Sequence, residues 1–203
     1  MNRAMLATAL SIAFSNQSLA AESVTVDPAA DTVPAPAAGG TDWSGAYAGL
    51  TFGGGHGWTT DSFAKYDITD GTMTGLVVGY NFQLGALVLG AELAHARGAG
   101  LMLADAGEDD IIDTVQDLRM RFGHVVGKAL IYGSAGRTNI EMTMNGVSGN
   151  DLSGTSLGVG VDYMLNERWF AGLEYTRRSL DEDHPFPFDL NLDMLSLRTG
   201  LQF

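Results

Sequence analysis

The chain has 203 residues, enough for one domain with an extension. It contains no cysteine, which removes disulfide frameworks and thiolate metal centres, and its formal charge of −13 argues against a nucleic-acid partner. Glycine, at 27 residues, is too abundant for a single helical bundle and suits tightly curved strands. Beyond the start of the chain no stretch approaches the roughly 20 apolar residues of a membrane helix.

Met1-Asn2-Arg3 is a short positive start, Ala4 to Phe14 is mostly apolar, and Ser18-Leu19-Ala20 is a small-x-small cleavage site. This order predicts a secretory signal peptide over residues 1–20. Residues 21–42 hold Pro28, Pro34 and Pro36 among many alanines, without periodicity, and predict a flexible linker. A domain over residues 43–203 follows.

From Trp43 the chain falls into short runs in which apolar and polar residues alternate. Trp43 to Phe52 places Ala46, Ala48, Leu50 and Phe52 opposite Gly45, Tyr47, Gly49 and Thr51. Thr72 to Phe82 places Leu76, Val78, Tyr80 and Phe82 opposite Gly75, Gly79 and Asn81. Leu87 to Ala96 and Leu118 to Val126 repeat the scheme. Leu130 to Thr138 is strand-like, with faces that its pattern leaves unassigned. Thr155 to Met164 and Trp169 to Arg178 follow. The last run puts Leu195, Leu197, Leu201 and Phe203 on one face and Ser196, Arg198, Gly200 and Gln202 on the other.

Eight such runs, each near the length of a tilted membrane strand, predict an all-β, eight-stranded antiparallel up-and-down transmembrane barrel. Short connections at Gln83–Ala86, Gly127–Ala129 and Leu165–Arg168 alternate with long polar ones at about residues 53–71, 97–117, 139–154 and 179–190. Tight turns on one side and long loops on the other fit a membrane barrel. Glu92, Arg119, Arg121, Asp162, Glu174, Arg178 and Arg198 all fall on the glycine-bearing faces. An arginine at mid-bilayer costs roughly 2–4 kcal/mol, so this face must turn inward and form a lumen charge cluster. A soluble barrel would reverse the faces and crowd many large side chains into a narrow lumen. Trp43, Tyr80, Phe82, Tyr163, Trp169 and Phe203 sit near the turn side, where an aromatic girdle belongs.

Several of these runs resemble the porin-like, opacity-type small outer-membrane proteins, the eight-stranded barrels of the OmpA type. Asp42-Trp43-Ser44-Gly45-Ala46-Tyr47-Ala48-Gly49-Leu50 is similar to the family's opening strand. Gly75 to Phe82, Gly90-Ala91-Glu92, Gly160 to Tyr163, Gly172 to Tyr175 and Arg198 to Phe203 resemble its second, third, sixth, seventh and closing strands. The resemblance covers residues 42–203. It implies residence in the outer membrane of a Gram-negative cell, contact with its lipid and lipopolysaccharide, and insertion by a barrel-assembly machinery that reads the terminal Phe203. It implies structural, antigenic or adhesive roles and specifies no activity. His124 stands where that family commonly has an aromatic.

The polar motifs add little chemistry. Phe52-Gly53-Gly54-Gly55-His56-Gly57 lacks the Lys-Ser/Thr of a phosphate loop and reads as a flexible strand-to-loop exit. His56, His95, His124 and His184 show no close pairing, so neither a metal site nor a cofactor is expected. A lipid A-modifying enzyme would need a nucleophile and base in contact, and neither His95 nor His124 has such a partner nearby in its strand; no catalytic residues are assigned. Asp105, Glu108, Asp109, Asp110, Asp113 and Asp117 crowd the second long loop without a compensating base, and Asp181, Glu182, Asp183 and Asp189 the fourth. They read as solvated loops, or as a place for cation-bridged lipopolysaccharide or a basic partner. Asp109 and Asp110, with Phe186 and Phe188 on the His184-Pro185-Phe186-Pro187-Phe188 tip, are the candidate surface contacts.

The expected role is a structural or surface barrel that supports the envelope or surface interaction, its lumen closed by Glu/Asp–Arg pairs. A narrow channel for small solutes is the alternative, with adhesion through the acidic loops and lipid A modification further behind. Oligomeric state is not readable from the residues.

Overall fold

The computed structural model describes residues 40–60, 65–99, 111–144, 147–182 and 188–203. The expected signal peptide and all but the last three residues of the expected linker lie outside these, as do Asp109, Asp110, Phe186 and the side chain of Phe188. Eight strands follow one another: β1 (Gly45–Thr60), β2 (Lys65–Leu84), β3 (Leu87–Ala99), β4 (Ile111–Val126), β5 (Ala129–Met144), β6 (Val147–Met164), β7 (Trp169–Glu182) and β8 (Phe188–Gln202). Each pairs antiparallel with the next, and β8 pairs with β1 to close the barrel.

The register sets the tilt. Stepping across the ladders from Tyr47 passes through Gly79, Glu92, Arg119, Gly136, Ser156, Arg178 and Leu192 and returns to β1 at Gly57, ten residues further on. With strands about 4.8 Å apart and about 3.3 Å of rise per residue, that stagger tilts them by about 40°.

The turn end is tight. Gly85 and Gly127 have positive φ, the left-handed conformation that glycine adopts without a Cβ clash, and each opens a two-residue turn. Asn166 organises the third turn by accepting from the amides of Arg168 and Trp169 at 3.0 and 2.9 Å.

At the other end the strands run well past the expected runs. The connections expected at 53–71 and 139–154 are mostly strand: β1 runs to Thr60 and β2 begins at Lys65, and β5 runs to Met144 and β6 begins at Val147. The glycine-rich stretch Gly53–Gly57 is therefore part of β1, not an exit from it. Membrane strands need about 9–11 residues; β2 has 20.

The extra length has its own side-chain order. Near the turns, large apolar residues face outward: Leu84, Phe82, Tyr80, Val78 and Leu76 on β2, and Leu118, Met120, Phe122 and Val126 on β4. On β2 this belt spans eight residue steps, or about 20 Å along the barrel axis after tilt. Above it the outward positions become polar, with Thr74, His95, Gln116, Arg137, Thr155 and Arg177 forming the next ring. At the same height the inward positions become apolar, and Met73, Val115, Ile140, Leu180, Leu192 and Met194 belong to one buried cluster. A bulge between Ile112 and Thr114 on β4 lets both Ile112 and Val115 point inward. Six of the eight strands, all but β1 and β3, thus carry a membrane pattern below and a water-soluble pattern above.

Candidate functional site

The inward face is filled in three tiers. The lowest is aromatic and apolar: Trp43, Tyr47, Val88, Val125, Leu130, Tyr132, Met164 and Phe170. Phe170 packs 6.0 Å from both the Trp43 and Tyr47 rings. Trp43 is only 2% exposed, which corrects its expected place in an outer girdle. The segment before β1 folds under the barrel mouth, where the Trp43 amide donates to Gln83 Oε1 at 2.7 Å. Tyr80, Phe82, Tyr163, Trp169 and Phe203 do face outward. The Phe203 amide donates to the Ala46 carbonyl at 2.8 Å, and its ring is exposed.

The middle tier is ionic. It brings together Glu92, Arg119, Arg121, Asp162, Glu174 and Arg198, all buried. Arg198 Nη2 lies 2.5 Å from Glu92 Oε2, and its Nη1 lies 2.8 Å from Glu174 Oε2. Arg119 Nη2 donates to Glu92 Oε1 and also reaches Glu174 at 3.2 Å. Arg121 Nη2 donates to Asp162 Oδ2 at 2.6 Å and its Nη1 to the Tyr47 hydroxyl at 2.8 Å. Tyr47 in turn donates to Glu92 Oε2 at 2.9 Å. Glu92 and Arg119 are direct cross-strand partners, so their ladder position alone aligns them.

Arg178 stands apart. It faces inward above the others and makes a two-point contact with Asp117, Nη2–Oδ2 at 2.7 Å and Nε–Oδ1 at 3.1 Å. Asp117 was expected in an acidic loop without a compensating base. It belongs to β4, is 3% exposed, and has Arg178 as its base. Among the described residues, the inward face therefore balances four buried acids, Glu92, Asp117, Asp162 and Glu174, against four arginines, Arg119, Arg121, Arg178 and Arg198. Asp113 also lies in β4, where it accepts from the Thr143 hydroxyl at 2.7 Å.

Two tyrosines missed by charge counting complete the tier. Tyr47 on β1 covers Gly79 on β2, and Tyr132 on β5 covers Gly160 on β6, each its direct ladder partner. The Arg121 guanidinium lies 3.8 Å from the Tyr132 ring centroid and 5.3 Å from that of Tyr47, within cation–π range. A Cβ at Gly160 would sit 2.5 Å from the Tyr132 hydroxyl. Gly160→Ala is therefore expected to displace that ring and cost about 1–3 kcal/mol. Gly133→Ala, whose Cβ would meet nothing closer than 3.8 Å, is expected to cost far less. Urea midpoints of the refolded variants in lipid vesicles check the pair.

The uppermost tier is the apolar cluster of Met73, Ile112, Val115, Ile140, Leu192 and their neighbours. On the outer wall at this height, Arg177 makes a two-point contact with Asp193 at 2.7 and 2.8 Å, and Tyr175 donates to the same carboxylate at 2.6 Å. His95 and His124 are both exposed on the outer wall, and the described residues hold no group of three or more metal-binding side chains.

A family model described as an outer membrane protein beta-barrel domain matches residues 29–203. The 31 kDa outer-membrane immunogenic protein of Brucella melitensis is 24% identical over 240 aligned residues, spanning 99% of each chain, and the protein of that name from Brucella suis matches to the same extent. Among solved structures, the attachment invasion locus protein Ail of Yersinia pestis superposes with a TM-score of 0.50 at 14% identity, covering 78% of this chain and 99% of Ail. Neisserial surface protein A does so with a TM-score of 0.51 at 12% identity, covering 78% and 99%. The likeness to these two structures is one of fold, a small closed barrel. The chain belongs to the outer membrane protein beta-barrel domain family and resides in the outer membrane of the Gram-negative type.

Proposed function

We propose that this protein is a sealed, non-conducting barrel that carries a stiff rim above the membrane and serves the envelope as a structural and surface element. One observation supports the reading: buried inward side chains stack in three successive tiers, aromatic, then charge-balanced, then apolar. Small eight-stranded barrels have interiors just wide enough for side chains to fill. A hydrated path would have to break the ionic tier and also part the apolar tier above it. The β1–β8 ladder runs unbroken into the rim, to Thr60 on β1 and Asp189 on β8. The Brucella relatives are named immunogenic, which supports exposure of that rim at the cell surface. In this reading Phe203 serves as the assembly signal and residues 1–20 as the export signal.

Planar-bilayer recording tests the seal. The refolded protein is expected to give no steady conductance steps. Glu92→Ala or Arg121→Ala is expected to stay silent, because the tiers above and below still close the path. Stable channels in the unmodified protein, enlarged or abolished by either substitution, would overturn the proposal in favour of a narrow pore.

A further inference from the structure

We infer that the outer wall around Arg137 is a binding site for one phosphorylated lipid of the outer leaflet. Two arginines face outward in the polar ring just above the apolar belt, and they are handled differently. Arg177 is neutralised within the protein by Asp193. Arg137, two strands away on β5, is exposed and forms no ion pair with any described residue. Its ladder partners are Leu118 and Thr155, and the outward residues next along β5 are Ala135 and Asn139. None of these can supply a negative charge.

The surroundings fit an amphiphile. Arg137 borders an outward groove of about 490 Å³ whose apolar side is Leu76, Val78, Leu93 and Leu118, all belt residues. Its polar lining is His95, Gln116, Asn139 and Arg137 itself, with Asp117, whose carboxylate is engaged inward by Arg178. His95, Gln116 and Asn139 are consecutive ladder partners across β3, β4 and β5, so donors line up along the groove's upper edge. A phosphate at headgroup height would take the planar fork of Arg137 and a hydrogen bond from His95. An acyl chain would run down over Leu118 and Leu93. Charge selects the same place: the chain carries −13 overall and repels anionic lipid generally, whereas this sector presents Arg137, with Arg97 above it on β3.

The test is native mass spectrometry of the full chain, refolded in a zwitterionic detergent and titrated with diphosphoryl lipid A. One lipid is expected to bind. Arg137→Gln is expected to weaken binding at least tenfold, His95→Ala to weaken it less, and Arg137→Lys to fall between. Arg168→Ala, in an exposed turn at the opposite end, is expected to leave it unchanged. Lipid A stripped of phosphate is expected to bind the unmodified protein as poorly as the phosphorylated form binds Arg137→Gln. Chelation with EDTA is expected to have no effect, since the contact is direct. Equal binding by the unmodified protein and Arg137→Gln would overturn the inference. So would equal binding of dephosphorylated lipid, loss of binding on EDTA treatment (which would point to cation bridges at the acidic loops), or a dimer in place of the lipid adduct.

Discussion

Arg198→Ala is expected to lower the unfolding free energy of the barrel by about 3–5 kcal/mol, the cost of leaving buried charge without its partner. Arg198 contacts Glu92 and Glu174 at 2.5 and 2.8 Å and lies 3.5 Å from Asp162. Its removal leaves three inward acids to share Arg119 and Arg121. The cost should shrink when Glu92→Ala is added, because the double variant restores the balance of charge. Arg177→Ala breaks an ion pair of equally good geometry, yet its side chain is half exposed. It is expected to cost far less, as exposed pairs do. Urea unfolding in lipid vesicles, followed by tryptophan fluorescence, measures all three. Equal losses at Arg198 and Arg177 would contradict a dry ionic tier.

The second large effect concerns the reversal of pattern along β8. Leu197→Arg places a guanidinium in the outward belt of β8 and is expected to cost about 2–4 kcal/mol. Asn191→Arg, outward on the same strand six residues nearer the loop end, is expected to cost about 0–1 kcal/mol. Leu192→Arg points inward into the apolar cluster and leaves an unpaired buried charge, with an expected cost above about 3 kcal/mol. Neighbouring positions 191 and 192 should therefore differ about as much as 191 and 197, six residues apart. The same unfolding measurement reads this profile. A uniform cost at 191 and 197 would mean that the bilayer extends over the whole strand.

The reversal also marks how far the fold could be read from the residues. Period-two alternation finds a strand only while one face stays apolar. On β8 the apolar face passes from inward Leu190, Leu192 and Met194 to outward Leu195 and Leu197. At Met194-Leu195 the alternation slips by one residue, so a reader of the pattern sees a strand that starts there and a loop before it. The Ile112–Thr114 bulge has the same effect on β4. The lower halves were legible because lipid demands a continuous outward belt. The upper halves were not, since there water and a packed interior ask for the opposite pattern.

The ionic tier was legible for a related reason. A charged residue opposite a leucine on a membrane strand has only the lumen to face. That argument picks out Glu92, Arg119, Arg121, Asp162, Glu174 and Arg198. It does not reach Asp117, which lies one residue before the run that starts at Leu118 and whose partner Arg178 is 61 residues away. It also misses Tyr47 and Tyr132, where the signal is a tyrosine whose ladder partner is a glycine. That relation exists only once the register is known.

The natural absence of cysteine makes the most direct test simple. Single cysteines placed from 190 to 201 along β8 can carry spin labels, with collision rates measured against oxygen and against a water-soluble nickel chelate. Labels at 195, 197 and 201 are expected to favour oxygen, the label at 191 to favour nickel, and labels at 192, 194, 196 and 198 to be shielded from both. Ready nickel access at 194, 196 and 198 would reveal a water-filled lumen and contradict the sealed, two-pattern barrel.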